Sequence, residues 1–119
     1  MRSCVYAFLC VLPLASQAQP AAAGIKEMIV TGGLASGKTY QVAERCGASA
    51  DALKAYKARF DADTQGGGQL YASLGVDIEQ VFRQGRQDGD DFYASVAASP
   101  NRESICTQTL ALVKAQGAR

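Results

Sequence analysis

Two pairs of glycines, Gly33 with Gly37 and Gly85 with Gly89, stand four residues apart inside runs whose apolar residues keep helical spacing. Val30, Gly33, Gly37 and Tyr40 fall on one face of a helix, and Phe82, Gly85, Gly89 and Phe92 repeat that face later in the chain. Glu27, Ile29, Val30, Gly33, Gly37 and Tyr40 align without a gap on Glu79, Val81, Phe82, Gly85, Gly89 and Phe92. A glycine stripe lets a second backbone approach closely, so the pattern predicts two helices crossing at their glycines. Val30, Tyr40, Phe82 and Phe92 are expected to fill either side.

The same stretch carries a competing pattern. Gly32 to Thr39, Gly-Gly-Leu-Ala-Ser-Gly-Lys-Thr, satisfies G-x-x-x-x-G-K-[ST] and resembles the phosphate loop of small-molecule kinases. That resemblance implies Lys38 on the β- and γ-phosphates and Thr39 on Mg²⁺. It stops at these eight residues. A phosphate loop needs a parallel sheet built from βαβ units and a second carboxylate at the end of a buried strand. Leu74-Gly75-Val76-Asp77 is the one faint candidate for that strand end. The match is therefore read as accidental, and Gly32 to Thr39 as helix.

The chain opens with the pattern of a secretory leader. Arg2 supplies a short positive region, Cys4 to Leu14 an apolar core broken by Pro13, and Ser16-Gln17-Ala18 the small residues that signal peptidase reads. Cleavage is expected after Ala18, making residues 1–18 a signal peptide and 19–119 one small helical domain. Phe8 and Leu9 before Cys10 do not fit a lipoprotein site. The expected location is the periplasm or the exterior, with no membrane span left after cleavage.

Charge excludes some partners. The chain has 12 Lys and Arg against 11 Asp and Glu, and loss of Arg2 balances them. Nucleic-acid binding needs clustered positive charge, and no such excess exists.

Cys4 and Cys10 leave with the leader, so Cys46 and Cys106 have one way to pair. In an oxidising compartment a domain this small is expected to use them as a disulfide. Closing a loop of about sixty residues stabilises by up to roughly 4 kcal/mol in the chain-entropy account. A redox-active pair would need close C-x-x-C spacing, which is absent.

Helix punctuation gives the remaining architecture. Gln19 to Gly24 reads as a fraying lead-in and the first helix as Ile25 to about Cys46, ended by Gly47. Ser49 caps a second helix with Leu53, Tyr56 and Phe60 inward and Lys54, Lys57 and Arg59 mostly outward. Gly66-Gly67-Gly68 is a candidate break, although Tyr71 and Leu74 resume the spacing and leave a longer second helix open. Asp77 caps a third helix through Ala97. Ser99-Pro100 restarts a fourth, carrying Ile105, Cys106, Thr109, Leu110, Leu112 and Val113 to Gly117. The fold class expected is all-α, a compact bundle of about four helices closed by Cys46 to Cys106.

Chemistry-bearing residues are sparse. The chain has no His, the side chain best suited to proton transfer near neutral pH. Acidic residues cluster at Asp61 with Asp63 and at Asp88, Asp90 and Asp91, and the second group lacks the spacing of a calcium loop. Ser36, Ser73 and Ser104 have no partnered base. Accordingly no catalytic, metal or cofactor-binding residue is assigned and the chain is not expected to be an enzyme.

The candidate interaction surface is Leu70, Tyr71 and Leu74, apolar residues beside a glycine tract. In size, leader, helicity and single disulfide the chain is similar in type to periplasmic acid-stress chaperones and to immunity proteins, with no motif matching either group. The expected function is a non-enzymatic binding or inhibitory protein of the cell envelope, its partner another protein. A stress chaperone is the first alternative, unfolding in acid through buried carboxylates such as Asp61 or Asp77. An enzyme using Gly32 to Thr39 or the Asp88 to Asp91 cluster is the second.

Overall fold

The computed structural model describes residues 18–119, with side chains from residue 23 onward. The leader expected over residues 1–17 lies outside the described residues. Five helices make up the rest: α1 (Ala18–Arg45), α2 (Ala50–Gln65), α3 (Gly68–Ser73), α4 (Ile78–Val96) and α5 (Arg102–Gly117). No strand occurs among the described residues.

Packing begins at the glycines. A Cβ on Gly37 would overlap the Phe82 carbonyl oxygen and lie 3.0 Å from the Arg86 nitrogen. One on Gly85 would overlap the Leu34 carbonyl oxygen, and one on Gly89 would sit 2.8 Å from that of Lys38. Gly33 is the looser rung, facing the Val81 and Ile78 side chains. Residue numbers rise together along both helices, so α1 and α4 run parallel. A parallel pair needs a return path, and α2 provides it.

Along that path α2 runs back beside α1, bringing Leu53 and Tyr56 onto Ala43, and α5 closes the cluster with Val113. Tyr40, Ala48, Ala52 and Leu110 pack around these four buried residues. Gly117 at the end of α5 meets Ala55 of α2, so those two helices are parallel as well. The bundle is thus two parallel pairs, α1 with α4 and α2 with α5, running in opposite directions. Burying a side chain of this size stabilises by about 1.5–3 kcal/mol. With so few buried groups, each matters.

Aromatic rings join the two pairs. Tyr40 meets Phe82 edge-on at 5.5 Å between centroids, and Phe60 lies 4.8 Å from Phe82. Cations lie over the rings: Arg86 over Tyr40 at 4.8 Å, Lys38 over Phe92 at 4.4 Å and Lys57 over Phe82 at 5.0 Å. The Cys46–Cys106 disulfide, with Cα atoms 5.3 Å apart, ties the end of α1 to α5.

Most of the punctuation is where the sequence puts it. Gly47 ends α1 at φ +94°, and Gly75 turns the chain into α4 at φ +71°, both left-handed values that favour glycine. Ser49 accepts from the Ala52 N–H at 3.1 Å and Asp77 from that of Gln80 at 3.2 Å.

Four expectations are corrected. Residues 19–24, expected as a fraying lead-in before Ile25, are already helical within α1. The glycine tract, left open as a break, does interrupt the helix, and the chain then re-forms a six-residue helix, α3, so the described residues hold five helices where about four were expected. Helix α5 starts at Arg102 behind Asn101, because Ser99 spends its hydroxyl on the Asn101 N–H inside the turn. Lys57 turns inward, its ammonium held by carboxylates on α2 and α4.

Candidate interaction surface

Leu70, Tyr71 and Leu74 all belong to α3 or its end, and the helix splits them. Leu70 projects outward at 48 % exposure, while Tyr71 and Leu74 are half-buried. The Tyr71 ring folds back over Gly67, where a Cβ would meet its Cζ at 2.7 Å. Its carbonyl accepts from the Val76 N–H at 2.8 Å, and the Ser73 hydroxyl donates to the Leu70 carbonyl at 2.7 Å. Glycine at 67 is what lets the ring lie down, and the ring then becomes a wall.

That wall faces a groove of about 590 Å³ between the end of α2, α3 and the start of α4. Thr64 and Gln65 line one side, Tyr71 and Ala72 the second, and Val76 to Glu79 the third. Its carboxylates are Asp61, Asp77 and Glu79. Asp77 is engaged in capping α4. Asp61 and Glu79 converge on the Lys57 ammonium, at 2.5 and 2.9 Å. Burial pulls the Lys57 ammonium pKa down, but its hydrogen bonds to Asp61 and Glu79 outweigh this and hold it above the usual lysine value. Asp61 and Asp77, named above as buried carboxylates, are exposed.

Gly32 to Thr39 has no loop in it. All eight residues lie inside α1, their N–H groups engaged in helical hydrogen bonding rather than turned toward a common centre. Lys38 lies over the Phe92 ring instead of an anion site. The Ser36 carbonyl is 3.4 Å from the Tyr56 hydroxyl. Burial raises the Tyr56 phenol pKa, opposed by its hydrogen bonds to Ser36 and Thr39.

The acidic cluster is divided as well. Asp90 takes 2.8 Å and 2.9 Å hydrogen bonds from Arg45 Nε and Gln41 Nε2. Gln41, only 5 % exposed, accepts at its other end from Arg86 Nε at 2.7 Å, and Arg86 reaches Glu44 at 3.3 Å. These bonds bridge α1 and α4 just past the glycine contact. The Arg45 hydrogen bond, followed by that of Gln41, holds the Asp90 carboxyl below its ordinary pKa. Asp88 and Asp91 stay exposed. Among the described residues, no three His, Cys, Asp or Glu side chains gather as a metal shell.

Sequence reasoning missed Gln41 and the inward Lys57. A signal for Gln41 existed, since it is the next rung after Gly33 and Gly37 and faces the residues following Gly85 and Gly89. A polar side chain on an otherwise buried stripe needs a partner there.

Among the described residues no helix is long and apolar enough to cross a membrane. Compared with protein-family models, with curated protein sequences and with solved structures, the chain matches none.

Proposed function

We propose that the chain is a small exported protein, periplasmic or secreted, that acts without catalysis by binding or inhibiting another protein of the cell envelope. The observation that carries this reading is Leu70, 48 % exposed, and its chain neighbour Tyr71, which walls the groove. An exposed apolar side chain next to a rigid aromatic wall is the usual anatomy of a contact centre, with polar groups around it. Asp61, Asp77 and Glu79 give that rim its polar character. The disulfide suits an oxidising compartment.

A photoreactive side chain at position 70, in protein folded with its disulfide and mixed with envelope extract, tests the proposal. The expected result is one stoichiometric crosslinked partner, lost when Tyr71→Ala or the Cys46→Ser, Cys106→Ser variant is used. No crosslink, or one indifferent to Tyr71→Ala, would contradict it.

A stress-chaperone reading has one observation in its favour, the exposed Ile25 and Met28 on α1. It predicts many weak clients that increase in acid, rather than one.

A further inference from the structure

Met28 is 75 % exposed, the most open of the large apolar side chains among the described residues. It lies on α1 before Gly33, the first glycine of the α4 contact, so α4 does not cover it. Of its neighbours one turn away along the helix, Gly24 and Gly32 carry no side chain, and Ile25 and Thr31 flank it at the three-residue spacing. Nothing stands within 4 Å of where a Cβ on either glycine would lie. Three-quarters of the Met28 surface is thus open to solvent. The chain has two methionines, and Met1 belongs to the expected leader. The Cys46 and Cys106 sulfurs are already joined.

We propose that Met28 is an oxidation site, taking one oxygen from a peroxide or hypohalous acid without any opening of the fold. The sulfur lone pair attacks the terminal oxygen of the oxidant. As the S–O bond forms, the O–O or O–Cl bond breaks, and its electron pair leaves with hydroxide or chloride. With the proton transferred, the products from hydrogen peroxide are the sulfoxide and water: sulfur loses two electrons and the peroxide gains them. The sulfoxide is polar and chiral, and methionine sulfoxide reductases reverse it, one enzyme for each epimer. The step turns the apolar Ile25 and Met28 face of α1 polar, so that face carries a reversible chemical mark independent of the disulfide.

Dilute hydrogen peroxide applied to the folded, disulfide-bonded protein, followed by peptide mass mapping, tests this. The account expects a single oxygen at Met28, added at a rate within about three-fold of that in the urea-unfolded chain. The thermal midpoint should be unchanged, and Met28→Leu should take up no oxygen under the same exposure. Oxidation about ten-fold slower in the folded state would overturn the proposal, because the thioether would then be packed. So would a fall in the midpoint on oxidation, or equal uptake by Met28→Leu.

Discussion

Gly37 of α1 lies against the Phe82 carbonyl oxygen of α4 with no room for a methyl group between them. The contact is backbone to backbone, so a side chain could not swing aside to admit one. Gly85 makes the reciprocal contact with the Leu34 carbonyl. Gly85→Ala should therefore destabilise by about 2–4 kcal/mol, as overpacking against a fixed neighbour does. Gly33→Ala should cost less, because its neighbours are the Val81 and Ile78 side chains, which can give. Urea unfolding of the two variants gives the order directly.

Removing the disulfide should loosen α5. Val113 is its one fully buried side chain, and Leu112 faces outward, so the helix has a narrow apolar hold on α2. The Cys46→Ser, Cys106→Ser variant should lose about 2–4 kcal/mol. Hydrogen exchange should show the first turns of α5 opening before α1 and α4.

Acid should weaken the α1–α4 bridge in a defined window. The folded Asp90 carboxyl is held below its usual value by Arg45 and Gln41. A depressed carboxyl contributes stability that is present above the unfolded-state pKa and is lost as pH falls through the folded one. Asp90→Asn should flatten the fall in stability below about pH 4 and leave the slope above pH 5 unchanged. Denaturant midpoints at a series of pH values measure this.

Lys38 should matter little and only to packing. Its ammonium lies over Phe92, and an exposed cation–π contact is worth about 0.5–1 kcal/mol. Lys38→Ala should lose no more than that, and Mg-ATP should shift the melting of neither protein.

Helix content, the caps at Ser49 and Asp77 and the disulfide were legible because each depends on local chemistry or on elimination. The glycine crossing was legible because a repeated stripe names its own partner. The start of α5 was not: Ser99 has one hydroxyl, and the sequence cannot say whether it caps the helix or bonds the preceding turn. Lys57 was misplaced for a related reason. Its inward turn depends on Glu79 of α4, which only the tertiary fold brings near. The groove beside Tyr71 likewise needs α2, α3 and α4 assembled before it exists.

The most direct measurement compares Gly32→Ala with Gly37→Ala, two glycines of the same eight-residue pattern. In the helix crossing they differ: Gly32 has open space around it, and Gly37 meets the α4 backbone. Urea unfolding should show Gly32→Ala more stable by about 0.5–1 kcal/mol, through helix propensity. Gly37→Ala should be less stable by about 2–4 kcal/mol. Equal effects, or a Gly37→Ala protein as stable as the parent, would contradict the crossing and return Gly32 to Thr39 to consideration as a loop.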